Sequence, residues 1–199
     1  MKATLGVAAT MAIVMGVSAG CKVATVRRLD DRGPRAEATA EAERPFDAAE
    51  VIDAAWDAEV LPAITRARDV TGLSADEAIA QPAVVHGRGR VVEANVRSRA
   101  GTAIVDVGAT RVVVQIGPVL TGTAIRDALP AFDFDRFVNQ LQHADVGNEL
   151  NARVEQQVLQ HLDRTKLPGA SLSFAGMARR GEDGSLTITP VRLERQEQP

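Results

Sequence analysis

The sequence predicts an α+β fold: N-terminal helices, then a five-stranded antiparallel barrel with a long helix between its third and fourth strands. Three observations carry this reading. Apolar residues recur at helical spacing over 48–60 and again over 134–162. Between those stretches the period drops to two, in three short runs bounded by glycine. After the second stretch it drops to two again, in two runs separated by Arg180-Gly181-Glu182-Asp183-Gly184, a turn composition. A helix between strands three and four of five is the topology of an OB-like barrel. An open antiparallel sheet covered by the helices satisfies the same periodicities.

The elements follow in order. Asp47 is a good N-cap for a helix that begins at Ala48, because its carboxylate accepts from free N–H groups of the first turn. Val51, Ile52, Ala55, Trp56 and Val60 share one face, and Pro62 ends or kinks the helix. A short turn runs to Gly72. Ser74 and Glu77 form a capping box for a third short helix, stopped by Pro82. The first strand spans Val84 to Val96, with a bulge or sharp coil at Gly87 and Gly89. Ala103–Val107 and Arg111–Ile116 are the next two, separated at Gly108. Gly117-Pro118 breaks the third strand, and a short segment from Ala124 to Leu129 is stopped by Pro130. Asp133 or Asp135 caps the long helix, whose stripe is Phe134, Val138, Leu141, Val146, Leu150, Val154, Val158 and Leu162, with a possible interruption at Gly147. Ala170, Leu172 and Phe174 alternate along the fourth strand, and Leu186 to Thr189 start the fifth. Pro190 marks an edge or a bulge. The globular domain is therefore 47–199: helical over 47–82, strands over 83–118, mainly helical over 119–168, a β-hairpin over 169–195.

The first 20 residues read as a signal peptide. Lys2 supplies the positive n-region, Leu5 to Val17 the apolar stretch, and Ser18, Ala19 and Gly20 the small cleavage residues. Val17-Ser18-Ala19-Gly20-Cys21 resembles a bacterial lipobox, with Ser18 where leucine is usual. Cys21 then becomes the lipidated first residue, bearing acyl chains such as palmitate. A cut before Gly20, or an uncleaved anchor about as long as a bilayer span, fits the same leader; all three readings export the chain. Residues 21–46 are polar, mixed in charge and poor in apolar side chains, the composition of a flexible tether. Cys21 is the only cysteine, so the chain holds no internal disulfide and its fold rests on its core.

Composition narrows the function classes. The leader takes away Lys2 from 23 basic residues, leaving 22 against 26 acidic ones, a mildly acidic chain. With five Phe, one Trp and no Tyr it has few rings on which bases or sugars stack. Nucleic acid is not an expected partner. His86, His143 and His161 match no metal-ligand spacing, and no metal or cofactor is expected. No G-x-S-x-G elbow surrounds Ser171 or Ser173. Asp133 and Asp135 suit helix capping better than catalysis, and Asp30 and Asp31 lie in the tether. His86-Gly87-Arg88-Gly89-Arg90 lacks the third glycine and the following helix of a phosphate loop. Arg88, Arg90, Arg97 and Arg99 read as a solvated basic stripe. The best site candidate is the glycine-rich stretch after the third strand, where Gln115, Thr123, Arg126, Asp127, Asn139 and Gln140 are placed to line a polar cleft at one barrel end.

The run Gln115-Ile116-Gly117-Pro118-Val119-Leu120-Thr121-Gly122-Thr123-Ala124-Ile125-Arg126-Asp127-Ala128 is distinctive. Taken with Phe137-Val138-Asn139-Gln140, Leu150-Asn151 and Ile188-Thr189-Pro190-Val191, it resembles a family of predicted periplasmic lipoproteins of the domain-of-unknown-function kind. The similarity spans Phe46 to Leu193 and the leader. The resemblance implies export, a lipid on the leader cysteine, a barrel-like domain, and genes often found beside sugar-type ABC importers. It carries no activity and no catalytic residue. The expectation is a membrane-anchored periplasmic lipoprotein that works as a non-enzymatic binding or accessory module linked to sugar uptake, with an ABC importer component or a small solute as partner. An envelope enzyme acting on glycan or lipid is the alternative.

Overall fold

The computed structural model describes residues 45–74, 76–181 and 183–196. The leader, Ser18, Cys21 and the tether as far as Arg44 lie outside the described residues. Five strands make the barrel: β1 (Ala83–Asn95), β2 (Thr102–Val107), β3 (Thr110–Gln115), β4 (Ser171–Arg180) and β5 (Leu186–Gln196). Their ladder runs β1–β2–β3–β5–β4 and returns to β1, so the sheet closes on itself; the two-residue strand Arg68–Asp69 adds alongside β1. Four of the barrel pairings are antiparallel as expected, and β3 with β5 is parallel. Parity requires this. Strand direction cannot alternate all the way round a circuit of five, so one neighbouring pair must run the same way.

β1 is long enough to serve both sides of the closure. Its first half pairs with β4, from Ala83 opposite Ala178 to Arg90 opposite Ser171; its second half pairs with β2. The strand must coil hard between them. At Gly89 a Cβ would sit 2.1 Å from the Asp106 carbonyl oxygen, so only glycine lets β2 cross that closely. The register slip lies just beyond, between Val91 and Glu93. The second bulge is where Pro190 foretold it: Ala175 faces Arg192 but Gly176 faces Pro190, leaving Val191 as the extra residue.

Alternation divides the apolar side chains into two cores. Val85, Val91, Ala103, Val105, Val112, Val114, Leu172, Phe174 and Ile188 fill the barrel. Met177 and Val191 belong instead to a second core, shared with the helices. There α1 (48–65) contributes Ile52, Trp56, Val60 and Ile64. The Asp47 carboxylate caps it as expected, accepting from the Ala49 N–H at 2.9 Å. Pro62 does not end this helix. A π-turn at Trp56–Val60 comes immediately before, and Leu61–Thr65 continue the helix. The wider turn gives the proline ring room where an α-turn would clash.

Three further expectations are corrected. The Ser74–Glu77 box closes a turn rather than a helix. The Glu77 carboxylate accepts from the Ser74 N–H at 2.7 Å, but Ala78 then takes φ +66°, which no helix continues. The Arg180 N–H donates to the Ala78 carbonyl at 2.7 Å, tying that turn to β4. The Ser74 bond, with help from Arg68, holds Glu77 down to about 2. Next, the connection from β3 to β4 starts with α2 (Ala124–Asp127) and 3-10 turns at Pro130–Phe132 and Phe134–Arg136. The long helix α3 (140–159) begins later than expected, because Phe137 and Asn139 are extended; Asn139, not Asp133 or Asp135, is its cap. Finally, Gly147 does not interrupt α3. Val146, Leu150 and Val154 carry its buried stripe, whereas Phe134, Val138 and Leu141 stand 46%, 87% and 70% exposed. No helix among the described residues is long and apolar enough to cross a membrane.

The close crossing at Gly89 generates a stability prediction. Gly89→Ala meets backbone that cannot move aside and is expected to cost about 3 kcal/mol in chemical denaturation. Gly72→Ala has open space around the new Cβ and is expected to change stability by less than about 1 kcal/mol.

Candidate functional site

The parallel seam is short. Only Val112–Leu186, Val113–Thr187 and Val114–Ile188 pair across it. Beyond Val114 side chains replace the ladder. Gln115 ends β3 with 9% exposure, and its Nε2 donates to the Thr121 carbonyl at 3.2 Å and to Thr189 Oγ1 at 3.4 Å. Its Oε1 accepts from the Thr121 N–H at 3.1 Å. One amide therefore fastens the loop after β3 to β5.

That loop is fixed from its other side by α3. Asn151 Nδ2 donates to the Gly122 carbonyl at 2.9 Å, and Glu155 Oε1 accepts from the Leu120 N–H at 2.6 Å. The two side chains are one helical turn apart, so they reach the same loop. Arg153, between them, stacks 4.9 Å from the Trp56 ring centroid and pairs with Asp53 at 2.7 Å, which binds α3 to α1.

Beside the loop stands Asp127 at the end of α2. Its Oδ1 accepts from Arg126 Nε at 2.9 Å and Nη2 at 2.8 Å. Its Oδ2 accepts from Thr123 Oγ1 at 2.7 Å and from Arg179 Nη2, on β4, at 2.8 Å. A carboxylate offers about four lone-pair positions, and four donors fill them. Arg126 also donates to the His143 carbonyl at 3.2 Å. The carboxylate thus joins α2, α3 and the barrel.

Between these groups lies a cleft of about 210 Å³, lined by Gln115, Thr121, Gly122, Thr123, Ala124, Arg179, Gly181, Thr187 and Thr189. Gln115 and Thr123 line it as the sequence led us to expect. Arg126 and Asp127 stand behind its wall. Asn139 and Gln140 do not reach it: both are exposed, and the Asn139 carboxamide is spent on the Gln142 N–H as a helix cap. Sequence reasoning missed Thr187, Thr189 and Arg179. Register was the signal that could have found them, since a parallel β3–β5 pair in a five-stranded closure carries Gln115 to Thr189. A second groove of about 640 Å³, larger and more open, runs between the end of α3 and β5 past Gln157, His161, Asp163 and Glu194. Among the described residues the buried polar side chains are Gln115, Asn151 and Thr189, and all three belong to the smaller cleft and its loop. Also among the described residues, no three His, Cys, Asp or Glu gather closely enough to hold a metal ion.

A family model described as "Predicted periplasmic lipoprotein (DUF2291)" matches residues 72–194. Among curated proteins none is significantly similar to the chain. Solved structures do match, including the crystal structure of an OB-fold protein from Thermotoga maritima. That protein is 20% identical, with 76% of this chain and 86% of that one covered and a TM-score of 0.44.

The Asp127 joint is testable by substitution. Asp127→Ala strands Arg126, whose side chain is only 14% exposed, and removes the link to β4. It is expected to lower stability by about 2 kcal/mol in chemical denaturation, the size of a hydrogen-bonded charge left unpaired. Asp133→Ala, at an exposed position outside the joint, is expected to lie within about 0.5 kcal/mol of the parent.

Proposed function

The chain belongs to the family of predicted periplasmic lipoproteins, and from that premise we propose that it is a membrane-anchored periplasmic module that binds a small polar solute. The cleft at the parallel seam is the observation that carries this reading. Its floor is a buried amide and threonine hydroxyls, and at its side Arg179 spends one N–H on Asp127. Donors and acceptors held in fixed positions around a small, partly apolar space suit a compact hydrogen-bonding molecule. A volume of about 210 Å³ is the liquid volume of about seven waters, which limits the solute to a monosaccharide, an amino acid or a similar small compound. The resemblance to lipoproteins encoded beside sugar-type importers puts sugars first, with the module serving an ABC importer as accessory.

Binding rather than catalysis fits the chemistry of the lining. Among the described residues the cleft is lined by no carboxylate, histidine or cysteine. Thr123 Oγ1 stands beside an acid, Asp127, whose lone pairs are taken by Arg126, Arg179 and Thr123 itself. A hydroxyl needs a base free to accept its proton before it attacks a substrate, and here the geometry is spent on structure.

The test is thermal unfolding with a panel of pentoses, hexoses, hexuronic acids and amino acids at millimolar concentration. At least one is expected to raise Tm, since a ligand at 100 times its Kd adds about 2.7 kcal/mol. Thr189→Val and Arg179→Ala, each compared with its own ligand-free Tm, are expected to lose that rise, and Gln140→Ala to keep it. A flat response across the panel, or a rise that survives both cleft variants, contradicts the proposal.

A further inference from the structure

We infer that the domain rests on the bilayer through the apolar surface at the start of α3, formed by Phe134, Val138 and Leu141. These three are among the exposed large apolar side chains and fall within eight residues of chain. They are held rather than loose. Phe134 packs edge-on against the His143 ring at 5.3 Å. The Val138 N–H donates to Gln142 Oε1 at 3.1 Å, and Asn139 caps the helix that carries Leu141. Three exposed apolar side chains held on one short segment mark a contact with something else.

The route of the chain identifies the occupant. Phe46, the second described residue, packs its ring edge-on against Phe137 at a centroid distance of 6.1 Å. Phe137 also meets His143 at 5.5 Å and immediately precedes Val138. The polypeptide leading back to Cys21 therefore leaves the domain beside this surface. Only 24 residues lie between Cys21 and Phe46, a span of at most about 90 Å even when fully extended. A lipid on Cys21 thus keeps a bilayer within reach of Phe134, Val138 and Leu141 at all times, and weak insertion is sufficient when the surface is already tethered. The exposed neighbours Asp133, Asp135 and Arg136 carry a net negative charge, so the contact is apolar and shallow, and anionic lipid does not strengthen it.

The inference rests on the lipoprotein reading, and the experiment separates the two. Full-length protein is purified from membranes, and intact mass is used to check for lipid on Cys21. Val138→Cys then carries the sole free thiol and takes an environment-sensitive nitrobenzoxadiazole label; Ala109→Cys, exposed on the β2–β3 turn, is labelled as reference. In phosphatidylcholine vesicles the label at 138 is expected to shift to the blue and to be quenched by brominated acyl chains, while the label at 109 keeps its aqueous emission. Phe134→Asp combined with Leu141→Asp is expected to abolish the shift at 138 with far-ultraviolet circular dichroism unchanged. An aqueous signal at 138 in vesicles overturns the inference. So do equal shifts at 138 and 109, and so does a shift seen only after other envelope proteins are added, which would assign the surface to a protein partner. A mass without lipid, together with a shift at 138 on added vesicles when Val138→Cys is labelled in a Cys21→Ser background, would refute the anchor and leave the bilayer contact standing.

Discussion

Five strands cannot close with every neighbour antiparallel, and the rest of this structure follows from that constraint. The one parallel pair, β3 with β5, is only three residues long. A long crossover returns from β3 to β4, and this crossover carries the helical layer. Where the short ladder stops, backbone groups at the barrel end lose their strand partners, and side chains take over. Gln115, Asn151 and Glu155 bond the backbone of the following loop, and the Thr189 hydroxyl accepts from the Gln115 amide. The cleft is the space left between a ladder that has ended and a loop held away from it.

The joint at Asp127 stabilises the same place from behind. Isolated surface ion pairs contribute little, typically under about 1 kcal/mol. This carboxylate differs because three elements depend on it, through Arg126, Thr123 and Arg179, and because Arg126 is largely shielded from water. Its effect is geometric as well as energetic. It orients the Arg179 guanidinium along the cleft wall and holds α2 against β4. Gly147 on α3 faces the same joint, where a Cβ would meet Arg126 Nη1 in ordinary van der Waals contact at 3.5 Å.

Much of the fold was legible because hydrophobic period and glycine placement are local. The period-two runs located all five strands, and Pro190, with no N–H to donate, marked the bulge in β5. The errors share one cause: tertiary contacts outweighed local signals. Pro62 signals a stop or a kink, and burial of Ile52, Trp56, Val60 and Ile64 on one face carries α1 past it through a π-turn. The Ser74 capping box forms, yet the Arg180 N–H claims the Ala78 carbonyl and no helix follows. Asn139 and Gln140 looked like cleft residues because they are polar and close in sequence; one is spent on capping and both face solvent. Thr187, Thr189 and Arg179 were invisible locally, since only the closure of the barrel brings them to Gln115.

In the reading proposed above, two surfaces divide the work of a tethered module: a polar cleft at the seam for a solute, and an apolar surface near the chain's exit for the bilayer. The central claim is that the cleft is occupied in the cell. Native mass spectrometry of protein released gently from its own membranes tests this most directly. The account requires the wild-type chain to carry a noncovalent small-molecule adduct that Thr189→Val lacks. A bare chain in both spectra, or the same adduct in both, would contradict it.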